Sequence, residues 1–112
     1  MRRLRLDRGG RSVEHFDSRA LTYLPVGVLA GHAQVGVLRL RRGGRVGRHA
    51  AVVTQLFVAV WGEGWVAGGD GKRGRIRAGQ AVVWDEGEEH DAGTESGLVA
   101  LVVEAEEFDL RA

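Results

Sequence analysis

The chain has 112 residues, which suits one domain with a single hydrophobic core. Its 16 basic and 15 acidic residues leave a net charge of +1, which argues against a polyanionic partner such as nucleic acid. Because cysteine is absent, disulfides and thiolate ligands are excluded, and any metal would need His, carboxylate or amide ligands. We find no signal-peptide core and no run near the about 20 apolar residues of a membrane span, so we expect a cytoplasmic protein without a membrane partner.

The apolar runs are short, rich in valine and separated by 18 glycines and one proline. Valine suits a pleated strand, whereas each glycine inside a helix would cost about 1 kcal/mol against alanine. We therefore predict an all-β sandwich or barrel with little or no helix. The predicted strands cover residues 2–6, 12–16, 21–29, 33–41, 46–51, 55–61, 63–67, 73–77, 81–84, 88–92 and 97–105.

The N-terminal strands, within residues 1–30, are expected to pack on the barrel or to form a dimer interface. The segment 21–29, LTYLPVGVL, is the candidate interface. Near the other end, residues 98–103 (LVALVV) are apolar on both faces. Such a strand is covered on both sides, here by the barrel interior and by another sheet or subunit. These features predict a homodimer.

The middle of the chain carries a histidine at a fixed distance from two glycines. Five residues separate Gly43 from His49, one separates His49 from Ala51, three separate Ala51 from Gln55, and six separate Gln55 from Gly62. Alternate residues of a strand share a face, so His49 and Ala51 should point the same way.

A second spaced segment follows the hairpin signal Gly68-Gly69-Asp70-Gly71. Five residues separate Gly79 from Asp85, one separates Asp85 from Gly87, two separate Gly87 from His90, and three separate His90 from Thr94.

Together, the two segments resemble the motifs of the cupin superfamily. The first cupin motif has Gly, five residues, His-x-His, three or four residues, Glu, six residues and Gly. The second has Gly, five residues, Pro-x-Gly, two residues, His, three residues and Asn. Every spacing fits, with the motifs at 43–62 and 79–94, but four residue types differ: Ala51 for His, Gln55 for Glu, Asp85 for Pro and Thr94 for Asn.

The resemblance spans about residues 33–104 and implies a small single-domain bacterial cupin over residues 1–112. Its fold would be a double-stranded β-helix, that is, an RmlC-like jelly-roll barrel. Related cupins often pair through an N-terminal strand, which supports the predicted homodimer.

By the resemblance, His49, Gln55 and His90 converge near the barrel mouth. A typical cupin holds Fe, Mn, Ni, Cu or Zn with three imidazoles and one carboxylate. Here two imidazoles and a neutral amide remain, which predicts weaker binding of one divalent ion on His49, Gln55 and His90. Glu88 has the strand parity of His90 and is the best additional carboxylate. No organic cofactor is implied.

The aromatic residues indicate what the barrel would accept. Phe57 and Trp65 are predicted at the pocket floor and Trp84 at its mouth, a lining that favours an apolar or aromatic small molecule. With His49, Gln55 and His90 they form the predicted ligand pocket.

Two functions stay open at this point. One is binding of a small molecule beside a degenerate metal site, and the other is a metal-dependent enzyme, a dioxygenase or isomerase, with catalytic residues unassigned. Proton abstraction by a His90–Asp91 pair is disfavoured, because adjacent strand residues face opposite sides.

Overall fold

The structure is a computed structural model, and it describes residues 1–111. These residues form nine strands and one short 3-10 turn at His15–Asp17. The strands are β1 (Arg2–Arg5), β2 (Arg11–Ser12), β3 (Thr22–Tyr23), β4 (Gly27–Leu40), β5 (Arg45–Ala50), β6 (Thr54–Ala67), β7 (Arg73–Arg77), β8 (Gln80–Trp84) and β9 (Glu89–Leu110). None of the described residues belongs to a helix long and apolar enough to cross a membrane.

Two long strands, β6 and β9, take part in both layers of a β-sandwich that closes into a barrel. The N-terminal half of β6 and the C-terminal half of β9 form one layer in the order β1–β8–β6–β9–β4. The other halves, β6 from residue 63 and β9 up to residue 93, pair with each other and with β7 and β5. All neighbours are antiparallel. This confirms the predicted all-β jelly roll.

The bend of β6 lies at Gly62, where the sequence predicts a break between two strands. Gly62 has φ +79°, and a Cβ added there would overlap the carbonyl oxygen of Gly97 on β9. The predicted strands 55–61 and 63–67 are therefore one bent strand, because glycine permits the turn without ending the ladder. In the same way, 88–92 and 97–105 fall on the single strand β9.

The N-terminal segment departs most from the prediction. The predicted strand 12–16 is wrong beyond Ser12, because Phe16 and Asp17 have positive φ and the chain turns there. The predicted strand 21–29 is divided between β3 and the start of β4. Pro25, which has no N–H to donate to a ladder, lies in the gap.

The main core fills the space between the layers and follows the period-2 alternation of β9. Leu98, Ala100 and Val102 are buried inside, packed with Phe57, Ile76, Trp84 and other apolar residues. Their neighbours Val99, Leu101 and Val103 are only partly buried. The predicted inner cover of residues 98–103 is therefore present, whereas the outer cover is incomplete in a single chain.

Candidate functional site

A cavity of about 280 Å³ opens between the two layers. Most of its wall is apolar, with polar side chains in two groups, as expected for a small-molecule site. The lining residues are Gln34, Gly36, Val37, Leu38, Val46, His49, Gln55, Phe57, Trp84, His90, Ala92, Val102 and Glu104. Five of the six predicted pocket residues line it, and the sixth, Trp65, does not.

The first polar group is a pair of histidines on neighbouring strands. His49 of β5 is the register partner of His90 of β9, and their ring centroids are 4.4 Å apart. The Nδ1 of His49 lies 2.7 Å from the Gly47 carbonyl, and that of His90 lies 3.2 Å from the Glu88 carbonyl. A carbonyl only accepts, so each Nδ1 carries a proton, and Nε2 is the ring nitrogen of each histidine that these contacts leave free.

His90 is the more constrained of the two rings. It is 1% exposed and stacks on Trp84 at 4.3 Å between ring centroids. Burial lowers the pKa of His90, the hydrogen bond to Glu88 opposes that shift, and His49 lowers the pKa further. Within residues 1–111, neither His90 Nε2 nor Trp84 Nε1 has a hydrogen-bond partner. Buried polar atoms are normally paired, so these two atoms are unsatisfied groups in the wall of the cavity.

The second polar group is a row of three side chains that the sequence motifs did not predict. Gln34, Glu104 and Gln55 are register neighbours across β4, β9 and β6, and Gln55 is in turn opposite Trp84 on β8. One row deeper on the same face lie Gly36, Val102 and Phe57, which give an apolar floor. Glu104 was missed because no motif covers it. Its strand parity with Leu98, Ala100 and Val102 is the signal that would have found it.

Trp65 is the predicted pocket residue that the structure places elsewhere. The register of β6 against β9 shifts between Ala59 and Trp61, which inverts the inward and outward alternation beyond that point. As a result Val66 is fully buried, while Trp65 carries the guanidinium of Arg73 at 3.7 Å above its ring. The prediction of Trp65 at the pocket floor is therefore wrong.

The acidic residues next to His90 do not reach the cavity. Glu88 accepts hydrogen bonds from the backbone N–H groups of Gly69 and Asp85 and from the N-terminal ammonium of Met1. Glu88 is thus a turn-stabilising residue and not the additional metal ligand that strand parity suggested.

Asp91 faces away from His90 and pairs with Arg48 at 3.1 Å and Arg45 at 3.6 Å. In the described part of the chain, no three His, Asp or Glu side chains converge as a metal site. What the fold brings together is two imidazoles and, on the adjoining wall, the amide of Gln55.

Comparisons with known proteins agree on the fold. No protein-family model and no curated protein matches the sequence. A conserved protein with a double-stranded beta-helix domain from Klebsiella pneumoniae has a TM-score of 0.61 at 20% identity, over 76% of this chain and 79% of that one. A cupin superfamily protein from Desulfitobacterium hafniense has a TM-score of 0.62 at 12% identity, over 96% and 100% of the two chains. A predicted oxalate decarboxylase from Thermotoga maritima has a TM-score of 0.57 at 26% identity, over 69% and 65%.

The chain therefore has the cupin fold, as its motif spacing predicted. Its structural neighbours differ in function, and a fold shared at this level of identity does not transfer an activity.

Proposed function

We propose that this protein binds a small, partly apolar molecule in its barrel, beside a degenerate metal site. The observation that carries the proposal is a cavity with an apolar floor whose wall holds two buried polar atoms without a partner among residues 1–111, His90 Nε2 and Trp84 Nε1. A ligand that fills about 280 Å³ would cover Phe57 and the rings of His90 and Trp84. A bacterial cytoplasm is the location that the sequence predicts.

The indole N–H signals in a ¹⁵N-correlated NMR spectrum test this proposal. The chain has three tryptophans, and of these only Trp84 lines the cavity. Aromatic fragments that enter the cavity should shift the Trp84 signal and leave those of Trp61 and Trp65 in place. Trp61→Phe and Trp65→Phe assign the signals at exposed or half-buried positions. If no fragment moves the Trp84 signal, or if all three signals move together, binding in the barrel is refuted.

The alternative is a metal-dependent enzyme, a dioxygenase or isomerase. Two imidazoles with Nδ1 fixed by carbonyls are suitably oriented ligands, which favours this reading. His49, His90 and Gln55 would hold one divalent ion, which would supply Lewis-acid or oxygen-binding chemistry. The uncharged amide fits such an ion less well than a carboxylate does.

Elemental analysis separates the two functions. Protein purified without a metal-affinity tag should contain Fe, Mn, Ni, Cu or Zn well below stoichiometry if the site is degenerate. Near-stoichiometric metal that disappears in both His49→Ala and His90→Ala would establish the metal-dependent alternative instead.

We also propose that the protein is a homodimer paired along β4. In residues 1–111 this strand has a partner, β9, on one edge only. Val28, Val35 and Val37 on β4 are 54%, 63% and 61% exposed. An edge strand of 14 residues with exposed valines invites pairing with another strand. The predicted interface at 21–29 overlaps this surface only at its end.

The charges at the two ends of β4 favour a second copy as the occupant. The first end lies beside Glu107 and Asp109 of β9, whereas the other end runs into Arg39, Arg41 and Arg42. Two antiparallel copies related by a twofold axis would place each acidic end beside a basic end.

Light scattering after size exclusion tests the dimer. The expected mass is twice 12.1 kDa, reduced to the monomer mass in Val35→Lys. Val52→Lys, at a valine that is 83% exposed away from β4, is the matched control. A monomeric wild-type protein would contradict the proposal.

A further inference from the structure

Glu104 is the single carboxylate among the residues that line the cavity. It is partly buried on the inner face of β9, between Gln34 and Gln55 in register. The ion pairs formed by residues 1–111 do not include it. A partly buried carboxylate without a counter-charge is costly, and a cationic partner would offset that cost.

Arg48, the neighbour of His49 on β5, is engaged elsewhere: it pairs with Asp91 and with Glu89, the latter at 3.4 Å. Among residues 1–111, those that line the cavity include no Arg or Lys. Glu104 is therefore the acidic group of this lining, with no guanidinium or ammonium group among the lining residues beside it. Its carboxylate only accepts hydrogen bonds, so it suits a ligand group that donates them.

A metal ion does not account for Glu104. Among the described residues no three His, Asp or Glu side chains converge, so Glu104 does not complete a ligand set with His49 and His90. The cavity that Glu104 lines also contains the aromatic side chains of Trp84 and Phe57. Trp84 is the register neighbour of Gln55 next to it, and the Phe57 ring lies 5.5 Å from that of Trp84 in an edge contact.

From this arrangement we infer that Glu104 makes the cavity selective for a small organic cation, a primary ammonium on an aromatic or aliphatic body. The ammonium group would bind the carboxylate, with the amides of Gln34 and Gln55 on either side, and the body would cover Phe57 and Trp84. The inference rests on the proposed small-molecule function and adds the ligand class. Glu104 is then the specificity-determining residue of the site.

Three probes of the same shape test the inference: benzylammonium, benzyl alcohol and benzoate. Calorimetry and the Trp84 indole signal report binding to the wild type and to Glu104→Gln, which removes the charge and keeps the shape. Benzylammonium should bind at least about tenfold more tightly than benzyl alcohol, and Glu104→Gln should abolish that preference without weakening benzyl alcohol. Glu95→Gln, at an exposed glutamate on the same strand, is the matched control and should keep the preference.

The outcomes separate this inference from the function beneath it. If benzylammonium and benzyl alcohol both move the Trp84 signal with equal affinity, the selectivity is refuted and the pocket function stands. Tightest binding of benzoate, or loss of the preference in Glu95→Gln, overturns the role of Glu104. If none of the three probes moves the Trp84 signal at millimolar concentration, both the selectivity and the pocket function are refuted.

Discussion

The cavity has two polar walls that arise in different ways. The histidine wall is made by β5 and the first part of β9, where His49 and His90 are register partners. The carboxylate wall is made by β4, the last part of β9 and β6, where Gln34, Glu104 and Gln55 align. Short-range spacing around glycines defines the first wall. The second depends only on register between strands that are distant in the sequence, so a motif describes half of this site.

The largest effect is expected where β6 passes from one layer to the other. Gly62 and Gly43 both have φ +79°, but only at Gly62 would an added Cβ overlap a backbone atom, the Gly97 carbonyl oxygen, whereas Gly43 has open space. Gly43→Ala should cost about 1–2 kcal/mol from the positive φ alone. Gly62→Ala should cost at least about 3 kcal/mol in the free energy of unfolding, because two strands must also separate.

Urea unfolding of both variants measures the difference. Both positions are glycines of the same motif, so the difference between the two variants measures the free energy that the close approach of β6 to β9 contributes. Equal losses would show that the bend depends on backbone conformation alone and not on the close approach of β6 to β9.

Features that depend on local sequence patterns were predictable, whereas features that depend on the register between distant strands were not. The strand at residues 73–77 coincides with β7, because its limits depend on local turn residues. Strand alternation from the motif positions explains why the same cavity is lined by His49, Gln55, Phe57, Trp84 and His90. Trp65 was misplaced because the register shift of β6 between Ala59 and Trp61 reverses the side chains that follow it. Glu104 was missed because its position follows from pairing with β4 and β6, which no local pattern specifies.

A smaller effect is expected at Gln55, which belongs to the carboxylate wall and was predicted as a metal ligand with the histidines. Gln55→Glu restores a negative charge and should raise divalent-ion affinity about tenfold, as measured by titration with Zn²⁺ or Mn²⁺. Gln34→Glu is the matched control, because it adds the same charge on the other side of Glu104.

The pair of variants decides whether the two walls share a ligand. If only Gln55→Glu gains affinity, and the gain disappears in His49→Ala, the added carboxylate acts with the histidines. Unchanged affinity in Gln55→Glu would contradict the convergence of Gln55 with His49 and His90. Equal gains in divalent-ion affinity in both variants would mean that the ion binds at the carboxylate wall.

The smallest effect is a difference in pH response between the walls. Burial of His90 is the main cause that holds its pKa below the ordinary value of about 6.5. The unfolded chain therefore binds more protons than the folded one below about pH 6.5, and the free energy of unfolding should fall as the pH falls through that range. The contribution is fully present above pH 6.5 and is lost as the pH drops through the folded pKa. One group limits the slope to about 1.4 kcal/mol per pH unit.

Denaturation between pH 7.5 and about 5, with EDTA present, should show this slope in the wild type and a smaller one in His90→Gln. His32→Gln, at an exposed histidine, is the matched control and should keep the wild-type slope. The slope, and not the absolute stability, is the quantity to compare, because His90→Gln also changes the packing against Trp84. An unchanged slope in His90→Gln would mean that water reaches the His90 ring. Solvent would then satisfy its Nε2, and the unpartnered atom would no longer support a bound ligand.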